Sequence, residues 1–273
     1  VRVDVLVTDG RRSVTGLSAA NFELKDSGVV QTLESVEVSE QPFSVLLALD
    51  TSSSMEGASL RQLQDGATAA VDALRPGDRA SIVTFSEAIG RATPWTGDRA
   101  MLGATIEHLR ASGTTSLFDA ATAAILQRDP EPGRRNLLIV FTDGNDTSSW
   151  LPDSAAYDLA ARTDIVVYGI TTAPPIVSDT ALQWRSGIRL APKQPIVSST
   201  DFLAKLAAQT GGEHLRSMST DLRKTFARIV AEFRTRYVLW YSPENVSAPG
   251  WHPIHIRLKA SPGRVTARRG YER

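Results

Sequence analysis

The sequence predicts an α/β fold: a doubly wound, mainly parallel sheet with helices on both faces, plus a small β-domain built from the two ends of the chain. Three observations predict it. Between residues 41 and 236, short apolar runs of strand length alternate with amphipathic segments of helix length, the pattern of repeated βαβ units. Both ends, 1–40 and 237–273, alternate with period two instead. At 273 residues, with 42% apolar and 22% charged content, the chain can bury one large core or two modest ones.

The elements follow in order. Val1, Val3, Val5 and Val7 share one face of a strand, with Arg2, Asp4 and Leu6 on the other. Turn signals at Asp9-Gly10 and Ser27-Gly28 precede another alternating run through Leu33, Val36 and Val38. Residues 44–49 are a short, mainly apolar run, typical of a parallel strand covered on both faces. Leu60, Leu63, Ala67, Val71 and Leu74 mark one face of a helix that stops at Pro76-Gly77. Residues 80–85 form the next strand, and Asp98 caps a helix whose stripe is Met101, Thr105, Ile106 and Leu109. Ser116 opens a helix through Ala120, Ala124 and Ile125, with Asp119 at capping-box spacing. Residues 137–142 and 165–170 are strands, separated by a helix that Asp153 caps and that runs to about Arg162. Thr200 caps a helix that ends at Gly211-Gly212, and the last helix carries Leu222, Phe226, Ile229, Val230 and Phe233. Between 173 and 199 periodicity lapses around Pro174, Pro175, Pro192 and Pro195, an insertion holding Trp184 and Arg185. Past Tyr237, Ile254, Ile256 and Leu258 oppose His255, Arg257 and Lys259, and Pro262-Gly263 turns into a final strand at 265–270.

Composition narrows the function. Lys plus Arg and Asp plus Glu both total 30, so the positive footprint of a nucleic-acid or anionic-membrane binder is absent. With no cysteine there is no disulfide, zinc–thiolate site or thiol nucleophile. No apolar run reaches the roughly 18 residues of a membrane span. The chain opens on Val1 directly in strand alternation, which reads as a processed or trimmed segment.

The chemistry gathers where strands end. In open parallel sheets ligands sit beyond the carboxyl ends of strands, and Asp50 closes the first apolar run. In Asp50-Thr51-Ser52-Ser53-Ser54 the spacing of two points one carboxylate and two hydroxyls to the same side. Ser112-Gly113-Thr114-Thr115 adds a hydroxyl on a tight loop before a helix, and Thr142-Asp143-Gly144 puts a second carboxylate at another strand end. An all-oxygen set selects Mg²⁺, with Mn²⁺ or Ca²⁺ as alternatives, over zinc or copper.

Asp50-x-Ser52-x-Ser54, Gly113-Thr114 and Thr142-Asp143-Gly144, in that order, resemble the metal-ion-dependent adhesion site of von Willebrand factor A domains, a Rossmann-like fold. The resemblance implies that Asp50, Ser52, Ser54, Thr114 and Asp143 are metal ligands, some direct and some through water. The opening valine run, Gly16-Leu17-Ser18-Ala19-Ala20-Asn21-Phe22, Arg75-Pro76-Gly77-Asp78-Arg79, Gln209-Thr210-Gly211-Gly212 and Arg268-Arg269-Gly270-Tyr271 resemble the bacterial, Acidobacteria-type von Willebrand A-related proteins. That resemblance covers essentially the whole chain and implies an extracytoplasmic setting. One departure is Ser53, where that group usually has Gly; it is not a ligand position.

Three functions meet this site. In a binding module, a partner's Asp or Glu completes the coordination sphere of the ion. In an assembly subunit of an envelope complex, the same loop docks a co-assembled partner. A metal-assisted phosphohydrolase needs a general base or nucleophile beside the ion, and neither a Gly-x-Ser-x-Gly elbow nor a Walker loop is present. Glu56 and Asp146 read as solvated loop acids, Trp150 as packed in the interior, and Arg264, Arg268, Arg269 and Arg273 as the solvated face of a strand. His252 and His255, three apart in a strand, point to opposite faces and make a poor chelate.

Overall fold

The structure, a computed structural model, describes residues 1–10, 12–38, 41–172, 197–218, 221–246, 249–259 and 263–273. Most of the expected insertion, with Trp184 and Arg185, lies outside them, as does Pro262.

The N-terminal segment supplies β1 (Arg2–Asp9), β2 (Arg12–Ser13), β3 (Phe22–Asp26), β4 (Val29–Gln31) and β5 (Ser35–Val38). The middle of the chain runs through β6 (Phe43–Asp50), α1 (Ala58–Asp72), β7 (Arg79–Phe85), α2 (Arg99–Glu107), α3 (Leu117–Leu126) and β8 (Arg135–Thr142). It continues through α4 (Asp153–Ala161), β9 (Val166–Thr171), α5 (Ser199–Thr210), β10 (His214–Arg216) and α6 (Leu222–Arg234). The end contributes β11 (Tyr237–Trp240), β12 (Trp251–Leu258), β13 (Arg264–Ala267) and β14 (Gly270–Glu272).

The central sheet has the order β7-β6-β8-β9-β10, and each neighbouring pair is parallel. The middles of its inner strands, 45–49 and 137–141, are apolar because both faces are covered. Val45, Leu47 and Leu49 of β6 and Leu137, Ile139 and Phe141 of β8 pack under α1, α2 and α6. Leu46, Ala48, Leu138 and Val140 point the other way, under α3, α4 and α5. Each such buried side chain contributes about 1.5–3 kcal/mol of transfer free energy. α1 and α6 approach closely at Gly66, where a Cβ would stand 2.8 Å from the Phe226 ring.

Strands from the two chain ends interleave. One antiparallel sheet has the order β13-β1-β11-β5 with β2 beside β1, and a second has the order β14-β12-β3-β4. Between them Val3, Val5, Val7, Phe22, Leu24, Tyr237, Leu239 and Ile254 form a third core. Polar groups join this core to the central sheet. The buried Arg135 donates from Nε to Asp4 Oδ1 at 2.6 Å and from Nη2 to the Phe233 carbonyl at 2.9 Å.

Several local expectations are corrected. The predicted single C-terminal strand is two, β13 against β1 and β14 against β12. The break falls at Arg268, which is buried rather than solvated: its guanidinium donates to the carbonyls of Ala161, Thr163 and Gly270. Thr200 lies inside α5, whose cap is Ser198, accepting from the Asp201 amide at 3.1 Å. On α2 the buried residues are Leu102 and Ile106, and Met101 is exposed. Asp153 is the first residue of α4, after the N-cap position held by Pro152.

Candidate metal centre

The strand order fixes where a ligand crevice opens. From β6 the chain crosses to β7 on one side, then returns to β8 on the other, so connections diverge between β6 and β8. In a doubly wound sheet that divergence leaves a crevice at the carboxyl ends of the two strands. Asp50 is the last residue of β6 and Thr142 the last of β8.

A chain of hydrogen bonds crosses the crevice. Asp50 Oδ1 accepts the Ser52 amide at 2.8 Å, and Asp50 Oδ2 accepts the Thr142 hydroxyl at 2.5 Å. The Ser52 and Ser54 hydroxyls lie 3.1 Å apart, and Ser54 Oγ donates to Asp143 Oδ1 at 2.7 Å. The Ser53 amide donates to the Gly113 carbonyl and the Ser112 amide to the Thr51 carbonyl, which fastens the first loop to the second. The third joins through the Thr147 amide to the Thr115 carbonyl at 2.8 Å. Gly113 is required locally: its φ is +76°, and a Cβ would meet Glu87 Oε2 at 2.9 Å.

Asp50, Ser52, Ser54 and Asp143 are thus brought together. Thr114 lies on the adjoining loop, exposed, with its hydroxyl donating to Ser148 Oγ at 2.9 Å. Asp50 is 0% exposed, whereas Ser54 is open to solvent and Asp143 is half-buried. The site therefore has a closed floor and an open mouth.

Burial raises the carboxyl of Asp50 above its ordinary range, and the neighbouring Asp143 charge adds to the rise against the opposing bonds from Thr142 and Ser52. Burial likewise raises Asp143, opposed by the Ser54 hydroxyl. Among the described residues neither acid forms an ion pair. Two adjacent, desolvated carboxylates without a cation are costly, and a divalent ion between them would remove that cost. No group of three or more His, Cys, Asp or Glu gathers among the described residues. The donors are therefore two carboxylates and hydroxyls, a set that fits a hard cation retaining water.

The structure adds residues that sequence reasoning had not placed. Thr142 holds Asp50 from below and also contacts Gly144. Asp119 does not form a capping box. Its two oxygens accept the Trp150 and Leu151 amides, each at 2.9 Å, while Ser116 Oγ bonds the Glu87 carbonyl and Ser148. Asp146 is no free loop charge, since its carboxylate accepts the Phe118 amide in the first turn of α3, with Ser149 alongside. Trp150 is not packed in the interior but 94% exposed, on a backbone whose amide Asp119 holds.

Residues 45–145 match the family model of the von Willebrand factor type A domain, the stretch from β6 to the Asp143 loop. That stretch of the chain is similar to a domain of that family. Its fold is similar to a von Willebrand factor type A structure from Catenulispora acidiphila, at 14% identity and TM-score 0.56, over 95% of this chain and 74% of that one. The same domain in the type V pili tip protein Mfa5 of Porphyromonas gingivalis aligns at 14% identity and TM-score 0.53, over 70% of this chain and 94% of that one. Proximal thread matrix protein 1 of the mussel byssus, described with a zinc-occupied MIDAS motif, aligns at 18% identity and TM-score 0.52, over 74% of this chain and 48% of that one.

Proposed function

We propose that this protein is a metal-dependent protein-binding module, in which an ion held by Asp50, Ser52, Ser54, Thr114 and Asp143 receives an Asp or Glu side chain from a partner. One observation carries the reading: two carboxylates, lacking an ion pair among the described residues, share one hydrogen-bonded oxygen chain at the sheet's switch point. Bound there, a divalent ion supplies an electrophilic face for an incoming carboxylate oxygen. The residues of the chain do the rest. Asp50, fixed by Thr142 and the Ser52 amide, sets the floor, and Ser54 positions Asp143 at the open mouth. Thr114 reaches the ion once its hydroxyl leaves Ser148.

Residues 41–236 are the binding unit in this reading, braced by 1–40 and 237–273. Mg²⁺ is the preferred ion, with Mn²⁺ or Ca²⁺ as alternatives. Zinc belongs in the test because the mussel protein's motif is described as zinc-occupied. The setting is extracytoplasmic in this reading, in keeping with the pilus and byssus contexts of proteins of similar fold; no helix among the described residues is long and apolar enough to cross a membrane. Binding is favoured over phosphoester hydrolysis because the hydroxyls at the site bond to each other and to Asp143, and no histidine or lysine joins them among the described residues. Thermal unfolding in Mg²⁺, Mn²⁺, Ca²⁺, Zn²⁺ or EDTA tests the ion. An upward shift with at least one ion, reversed by EDTA, is expected, and the reading is withdrawn if none shifts the transition. Pull-down with and without Mg²⁺ then separates a soluble partner from a co-assembled envelope subunit.

A further inference from the structure

The two most exposed large apolar side chains among the described residues are Trp150 at 94% and Met218 at 73%, and both lie beyond the carboxyl ends of parallel strands. Met218 follows β10, and Trp150 follows β8 in the same loop as Asp143. Leu151, at 43%, extends the patch beside Trp150.

Trp150 is not exposed because its loop is loose. Each residue from 148 to 151 is tied down. Ser148 Oγ accepts the Thr114 hydroxyl, and Ser149 Oγ accepts the Phe118 and Asp119 amides at 3.0 and 3.1 Å. The Trp150 and Leu151 amides are held by Asp119. The indole is thus presented from a fixed backbone, hydrogen-bonded to the loop that carries Thr114. A preorganised aromatic side chain left in water is the usual anchor of an interface, since it adds a large contact area with little conformational entropy lost on binding.

We infer that Trp150, with Leu151 beside it, is a specificity-determining contact of the metal centre, selecting partners in which the metal-seeking Asp or Glu is flanked by an apolar or aromatic side chain. The inference rests on the proposed metal-bridged binding. It assigns the two parts of the partner to two parts of the rim: the carboxylate to the ion, the apolar group to the indole. A basic flanking residue is the competing occupant, because cations also stack on indole. Leu151, next in the chain and 43% exposed, makes the adjoining surface apolar and favours the former.

An array of short Gly/Ser peptides, each with one central Glu and with Leu, Trp, Lys or Ser at a flanking position, tests this. Wild type in Mg²⁺ should hold the Leu and Trp peptides at least about tenfold more tightly than the Ser peptides. Trp150→Ala should lose that preference yet still retain Glu peptides at the Ser-peptide level and keep its Mg²⁺-dependent thermal shift. Trp150→Phe should keep most of the preference. An unchanged preference in Trp150→Ala, no preference in wild type, or a preference for Lys would each overturn the assignment to Trp150 while leaving the metal bridge standing. Failure of every Glu peptide to bind in Mg²⁺, or binding undiminished in EDTA, would overturn the metal-bridged reading and this inference with it.

Discussion

Replacing Asp50 by Asn separates the cost of the proposed metal site from its benefit. The side chain keeps its shape and one acceptor. Its Oδ1 position can still receive the Ser52 amide, and Thr142 Oγ1 has a second acceptor in the Gly144 carbonyl at 3.1 Å. At most one hydrogen bond is lost, about 1 kcal/mol. Against this, the buried charge and its repulsion with Asp143 disappear. Burial raises the Asp50 carboxyl, so the metal-free fold disfavours the ionised form. That penalty is absent below the ordinary value of 3.8 and grows as pH rises from there toward the raised folded value. In EDTA at neutral pH, Asp50→Asn should therefore unfold no earlier than wild type, within about 1 kcal/mol. With Mg²⁺ at a hundred times its dissociation constant, wild type should gain about 2.7 kcal/mol, about 5–10 °C in Tm, and the variant almost nothing. The two proteins should exchange rank between EDTA and Mg²⁺ in a scanning fluorimetry or calorimetry series. An equal Mg²⁺ shift in both, or a variant far less stable in EDTA, would refute the reasoning.

Other predictions concern the supports. Asp4→Ala leaves the Arg135 guanidinium buried without its carboxylate, and should cost about 3–5 kcal/mol in urea unfolding; a loss under about 1 kcal/mol would show that the pair is not a bridge between the sheets. Gly212→Ala should destabilise severely, because a Cβ would stand 1.9 Å from the Val167 carbonyl oxygen with only backbone to give way; near-wild-type unfolding would count against that packing. His214 is held below its ordinary value of 6.5, chiefly by burial and then by Arg216. Its neutral form is favoured in the fold, so its contribution is present above pH 6.5 and is lost as pH falls through the depressed folded value. Stability measured between neutral and mildly acid pH should fall less steeply in His214→Gln, and identical slopes would dismiss the effect.

The sheet and helices were legible because long elements repeat their period: β6 and β8 are apolar at each position needed to face two helix layers. β10 was not, since three residues carry no period and its pairing with β9 is set by tertiary context. Asp50, Ser52, Ser54 and Asp143 were legible as a group because strand ends and a spacing of two fix their direction. The roles of Asp119 and Asp146 were hidden by contacts across some thirty positions, to 150–151 and to Phe118. The same long-range bonds fix the backbone that carries the exposed Trp150, where composition favours burial. Arg268 looked like one more exposed arginine of a basic tail, and only the carbonyls at 161, 163 and 270 distinguish it.

Titration of Mg²⁺ and Mn²⁺ into EDTA-stripped protein by calorimetry tests the central claim most directly. Wild type should bind one ion per chain, and Asp50→Asn and Asp143→Ala should each abolish that binding while remaining folded. Stoichiometric binding that survives in both variants, or none in wild type at millimolar metal, would contradict the account.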